Sequence, residues 1–330
     1  MSNLYGGQAV IEGVMMRGPH HFAVAARRAS GEIALTCEPV PKILRPAWQK
    51  LPFLRGGFSL VDAMTLGTKS LFWAAKIAEE DTRLPDSVAD AAARAQSAPG
   101  NVALANGVVA VKQSGGVSDT LIGGAMITGL VFAVFLFKIL PQFGIEALKK
   151  TTSLHGYQLG MVDFVVRFSI FTIYILLIAR MNHVYRVFQY HGAEHKAINA
   201  LEAGKELTVA NVREASRLHP RCGTSFLVIV IFLSVLAVAF FYDRPLWQRI
   251  LIQLLMVFPV AGVAFELLRI AGKFRSNPIM AAFSRPGMWT QLLTTREPDD
   301  SQIEVSIASL KAAMAAESAV SGNASETQIG

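Results

Sequence analysis

Charge is scarce in this chain. Asp, Glu, Lys and Arg make up only 17% of its 330 residues, against 52% hydrophobic, and the mean hydropathy is +0.40. That balance argues against an ordinary soluble protein. Cysteine is scarcer still. Cys37 and Cys222 are the whole supply, which excludes the disulfide framework of a small secreted domain. Walker-type and dinucleotide fingerprints are missing, so nucleotide binding has no support. The opening residues, Met1-Ser2-Asn3-Leu4-Tyr5-Gly6-Gly7, lack a basic region followed by an apolar core, and no cleavable signal peptide is expected. No internal repeat is found.

What the chain has instead is length of apolar run. Four stretches approach the roughly 20 residues that cross a bilayer: Leu121 to Leu140, Gly160 to Met181, Ser225 to Tyr242, and Ile250 to Ala271, the last interrupted by Pro259 and Gly262. Buried helices of a soluble protein are the alternative, but four such segments are hard to bury in one chain. Lys and Arg are dense before the first run, between the second and third, and after the fourth. The other two connections carry only Lys149 with Lys150, and Arg244 with Arg249. Both termini and the central loop therefore read as cytoplasmic. Topology accounts for the net charge of +7 without a nucleic-acid partner, and the basic segments suit an anionic lipid surface. Both cysteines then fall on the reducing side, which leaves Cys222 free to bind a metal as thiolate.

The sequence divides as follows. Residues 1–50 read as a cytoplasmic Gly-rich β segment, with Ser30-Gly31 turning a hairpin between Phe22–Ala25 and Ile33–Thr36. Residues 51–80 read as amphipathic helices at the interface or against the bundle, with a fifth span as the alternative for 51–77. Residues 81–120 are rich in Ala, Ser, Gly, Asp and Gln and read as a flexible linker. Residues 121–272 form the four-helix transmembrane region, which includes a cytoplasmic loop at 182–224. Residues 273–317 form a cytoplasmic tail. In it, Pro298, Asp299 and Asp300 start a helix whose Ile303, Ile307, Leu310 and Met314 recur at helical spacing and should dock. Residues 318–330 read as disordered.

The most informative run is Tyr190-His191-Gly192-Ala193-Glu194-His195-Lys196. Residues four apart share a helix face, so His191 and His195 can offer two imidazoles to one ion, with Glu194 beside them. This is the inverted form of the zinc-hydrolase signature. His219-Pro220-Arg221-Cys222 follows, and three His with one Cys suit tetrahedral zinc. Two versions remain open. In a catalytic version, water holds the fourth place and Glu194 is the base. In a structural version, His191, His195, His219 and Cys222 close the site and Glu194 supports a ligand imidazole. Gly192 weakens the helix by roughly 1 kcal/mol relative to Ala. Glu12 and Arg17 lie in the Gly-rich segment; either they contact substrate over the metal or they pair with each other to hold a hairpin. Asp163 and Arg167, at i and i+4, read as a self-neutralising pair. Glu266 either faces the same cytosolic vestibule or pairs with Arg269.

Four longer stretches carry a family resemblance. Gly6 to Gly18, Tyr190 to Lys196, His219 to Phe226, and Pro286-Gly287 through Leu292-Leu293-Thr294-Thr295 to Glu297-Pro298-Asp299-Asp300 resemble the motifs of the DUF1385 (YqhQ-like) family of bacterial membrane proteins. The resemblance covers nearly the whole chain except residues 84 to 118, which look like an insertion. It implies metal dependence and a place in the bacterial inner membrane, and it names no reaction. The expected fold is an all-α polytopic membrane protein of about four transmembrane helices with a small N-terminal cytoplasmic α+β segment. The expected function is zinc-dependent hydrolysis at the cytosolic membrane face, on a peptide or lipid-linked substrate. A non-enzymatic scaffold with a structural zinc is the alternative, and a transporter using Glu266 and Asp163 a weaker one.

Overall fold

The computed structural model describes residues 5–41, 51–83, 119–273 and 277–326. Of the linker expected at 81–120, residues 84–118 lie outside the described residues, as do 327–330, while 81–83 and 119–120 belong to helices. Four strands open the chain: β1 (Gly6–Val10), β2 (Gly13–Arg17), β3 (His21–Arg27) and β4 (Ile33–Pro39). They form an antiparallel meander in the order β1-β2-β3-β4. Gly31 turns the β3–β4 hairpin with φ of +89°, the left-handed region that glycine enters without steric cost.

Eleven α-helices follow among the described residues. They are α1 (Leu54–Arg83), α2 (Asp119–Val134), α3 (Leu140–Thr151), α4 (Tyr157–Ile178), α5 (Asn182–Glu202), α6 (Val209–Glu214), α7 (Gly223–Val238), α8 (Leu246–Leu255), α9 (Val257–Lys273) and α10 (Pro278–Thr294), and a final helix, α11 (Asp300–Glu326), closes the described chain. Alternate residues of a strand face opposite sides, and both sides of this sheet are covered. Val10, Met15, Phe22 and Val24 pack on Leu66 and Ala74 of α1. Val14, Met16, Ala23 and Ala25 pack on Tyr190, Ala197 and Ile198 of α5 and on Ile303 and Leu310 of α11. The tail helix thus docks where its apolar spacing required. Asp299 caps it, accepting from the Gln302 N–H at 2.9 Å. The helix continues to Glu326, past residue 318, where disorder was expected; Ala315, Ala316 and Ala319 are strong helix formers and carry it on.

Among the described residues, three helices are long and apolar enough to cross a membrane: Gly123–Thr151, Tyr157–Ile178 and Gly223–Phe241. The bent pair Leu246–Leu255 and Val257–Ala271 makes a fourth candidate. They correspond to the four apolar runs, with two differences. The first continues beyond Leu140 through a π turn at Phe135–Ile139 into α3. Pro141 has no N–H to offer the Phe137 carbonyl, and Arg167 Nη1 fills that gap at 2.6 Å. The fourth bends by 48° between α8 and α9, because Pro259 likewise withholds an N–H from Leu255. Helix α1 is not among these candidates; Gly56 and Gly262 let it cross closely against α9, so it packs on the sheet and the bundle.

One group of polar side chains inside the bundle is densely paired. Arg167 Nε donates to Asp163 at 2.9 Å and Nη2 to Gln253 at 3.1 Å. Tyr242 donates its hydroxyl to Asp163 at 2.7 Å. The i, i+4 pair expected from the sequence is therefore part of a buried network, which lowers the cost of charge in an apolar setting.

Candidate metal centre

Helix α5 brings His191, Glu194 and His195 to one face, as its 3.6-residue period requires. Cys222 comes from the opposite wall, at the N-cap of α7, where the Thr224 N–H points at its sulfur at 3.5 Å. One ligand atom from each of His191, His195 and Cys222 lies within 4.8 Å of the others. His191 Nε2 is 3.2 Å from Cys222 Sγ. The two rings meet edge on, with centroids 4.5 Å apart.

The other nitrogen of each ring is held by a backbone carbonyl. His191 Nδ1 is 2.9 Å from Thr294 O, and His195 Nδ1 is 2.6 Å from Arg217 O. A carbonyl only accepts, so each Nδ1 carries the proton and each Nε2 presents a lone pair. Two oriented imidazoles and a thiol are a donor set suited to a soft or borderline divalent ion. The residues present could therefore hold a metal.

Glu194 is buried, with its carboxylate 4.0 Å from His191 Nε2. Burial pushes its carboxyl up to about 7, against the opposing pull of His191 and the Gly7 N–H. Strand β1 covers this side of the centre. A Cβ on Gly7 would come within 2.7 Å of Glu194 Cγ, so glycine there permits the backbone N–H to reach the carboxylate. Together these groups line a cavity of about 450 Å³.

His219 lines the same cavity but stands outside the three-donor cluster, so the described residues assemble three of the four expected ligands. The reason is a backbone clamp. Gln291 accepts from the His219 N–H at 2.8 Å and returns a bond to the His219 carbonyl at 2.8 Å. The ring instead faces Glu202, Nε2 to Oε2 at 3.5 Å, and its Nδ1 accepts from the Arg221 N–H at 3.4 Å. Glu202 also pairs with Arg221. Residue type gives no sign of either role: Gln291 is an amide within the fourth motif stretch and Glu202 a glutamate at a helix end.

The family described as "Protein of unknown function (DUF1385)" matches residues 51–316. The chain belongs to the DUF1385 family. A curated relative, "Uncharacterized protein YqhQ" of Bacillus subtilis (strain 168), is 34% identical over 309 residues, covering 92% of this chain and 90% of the relative. No solved structure matches. The DUF1385 match takes in His191, Glu194, His195, Cys222 and both supporting carbonyls; the Gly6–Gly18 motif precedes it.

The remaining candidates in this DUF1385 chain find other partners. Glu12 binds Arg186 through both carboxylate oxygens, with Nε at 2.6 Å, and Arg17 pairs with Asp62 at 2.5 Å. The expected Glu12–Arg17 pair does not form: in the β1–β2 hairpin their positions face different helices. Neither residue lines the metal cavity. Glu266 pairs with Arg55, Nε to Oε1 at 2.5 Å, and also lies away from that cavity. The reason is the close α1–α9 crossing, which brings Arg55 to it.

Gly192 has a role that helix propensity hides. A Cβ there would overlap the carbonyl oxygen of Arg296, whose own N–H bonds Phe188 O at 2.8 Å. Gly192→Ala should gain roughly 1 kcal/mol of helix propensity yet lower the thermal midpoint, because the 294–296 segment must move off α5. A midpoint that rises in a thermal melt would show that the segment is not docked there.

Proposed function

We propose that the protein is a zinc-dependent hydrolase of the bacterial inner membrane, acting at the cytosolic face on a peptide or lipid-linked substrate. The observation that carries this reading is that, among the described residues, three donors cluster with a buried carboxylate beside them. A catalytic zinc keeps one position open, whereas a structural one is closed by four protein ligands. His191, His195 and Cys222 would hold the ion, and when bound it supplies Lewis acidity.

The chain's own groups do the rest. Glu194 takes a proton from the attacking water. The water oxygen adds to the electrophilic centre, the bond to the leaving group breaks, and Glu194 returns the proton to that group. The Gly7 N–H holds the carboxylate in place, and the Thr294 and Arg217 carbonyls keep both imidazoles in the tautomer that binds metal. Strand β1, α5 and α11 pack into one body, and four crossings return the chain to its starting side. With the Lys and Arg distribution, this supports a cytoplasmic site and cytoplasmic ends.

X-ray absorption on the zinc-loaded protein is the direct test. Two nitrogens, one sulfur and an oxygen scatterer are expected. Three nitrogens and one sulfur, with the third nitrogen lost in His219→Ala, would replace this reading with a zinc that ties the loop to the bundle.

A further inference from the structure

We infer that the substrate of this centre carries a hydrocarbon chain, seated in an apolar groove of the helix bundle that lies across one turn from the metal site. The inference rests on the hydrolase reading and selects the lipid-linked substrate over the peptide. The groove has a volume of about 280 Å³ and is lined by Phe164, Val228, Phe232 and Leu268 among others, with Pro220, Ser225 and Gly287 also in its wall; no charged side chain lines it. Phe164, Val228 and Phe232 belong to helices long and apolar enough to cross a membrane, and Leu268 to the bent pair.

Its position ties it to the metal centre. Pro220 and Ser225 line the groove, while Cys222, Gly223 and Thr224 between them line the metal cavity. The two spaces lie on either side of one turn, whose Ser225 N–H bonds Cys222 O at 3.1 Å. A molecule with its head at the metal and its tail in the groove has to pass this turn.

Size and polarity choose the occupant. From Ser225 to Phe232 the groove follows α7 for about 10 Å at 1.5 Å per residue. A helix is about 10 Å across, much wider than a single extended chain. An extended peptide would fit more narrowly but would need partners for each N–H and C=O. The hydroxyl of Ser225 already accepts from Gln291 Nε2 at 3.1 Å. An alkyl chain needs none. Phe232 is 51% exposed on the outer side of the bundle, which gives a chain a way in from surrounding lipid without passing through water. A chain leaving the bilayer gains no hydrophobic free energy, so the groove selects by shape and by the head that the metal site retains.

The test uses the full chain in lipid nanodiscs containing a phosphatidylcholine with a diazirine near the end of one acyl chain. After photolysis, labelled residues are mapped by mass spectrometry. Val228, Phe232 and Leu268 should be labelled several-fold more than Leu176 and Leu254, which are exposed on the outside of the bundle. Ala271→Phe and, separately, Val228→Phe should fill the groove and reduce labelling there several-fold, with zinc content and labelling of Leu254 unchanged. Equal labelling of groove and outer surface in the wild type would overturn the inference, whether or not either variant folds. So would labelling that ignores both substitutions, or displacement of the lipid probe by a diazirine-bearing apolar peptide. The two readings fail separately: groove labelling without bound zinc removes the hydrolase, and bound zinc without groove labelling removes the chain-binding groove.

Discussion

Glu194→Gln should leave about one zinc per chain and the melting profile of the wild type, yet lower turnover roughly 100- to 10,000-fold, the usual contribution of a general base. The substitution is nearly isosteric. The amide oxygen of Gln can still accept the Gly7 N–H, so the packing of β1 over the centre is preserved and lost structure does not explain lost activity. Complementation of a deletion strain, scored beside zinc content, reads the effect without a known substrate. Growth equal to wild type with zinc retained would end the general-base role. In that case Cys222→Ala becomes the informative variant, since a purely structural ion should make loop stability depend on the thiolate.

The second large effect concerns the metal. A protein carrying His191→Ala and His195→Ala should bind no zinc, and its melting temperature should no longer respond to a chelator. Wild-type protein at a free zinc concentration about 100 times Kd gains roughly 2.7 kcal/mol from binding, so chelation should lower its midpoint measurably. The double variant starts lower for another reason. Thr294 O and Arg217 O lose the ring N–H groups that pair with them, and an unpaired buried acceptor costs about 1–3 kcal/mol. The response to chelator therefore separates metal from packing. Full zinc occupancy in the double variant would refute the assignment of both ligands.

The parts of the fold written in the sequence are those set by local period. The four apolar runs, the β3–β4 hairpin at Gly31 and the docking face of Ile303, Ile307 and Leu310 all follow from spacing along one element. So does the shared face of His191, Glu194 and His195. What spacing hides is choice of partner across long separations. Glu12 had Arg17 close by and took Arg186; Glu266 had Arg269 one turn away and took Arg55. The position of His219 was hidden for the same reason, since the Gln291 amide that fixes its backbone sits in α10. The support from Thr294 and Arg217 is more obscure still. A main-chain carbonyl can come from any residue, so residue type carries no trace of the role. Gly192 shows the opposite error: read alone it weakens a helix, whereas its lack of a side chain admits another segment.

The order in which the centre's pieces emerge from the ribosome follows from where they lie. The strand that covers Glu194 is made first, His191 and His195 after two spans, and Cys222 as the third begins. Thr294, whose carbonyl orients His191, arrives only after all four apolar stretches have been synthesised. Domains tend to complete N-terminal first, at about 5–20 residues per second, but this body cannot. Its sheet must wait through synthesis of the whole bundle for α11 to complete the cover of its second face. A nascent chain stalled before the last apolar stretch would lack the α11 cover over Val14, Met16, Ala23 and Ala25 and hold His191 without a fixed tautomer. Acquisition of a properly oriented donor set is thus a late event in biogenesis, coupled to synthesis of the last apolar stretch.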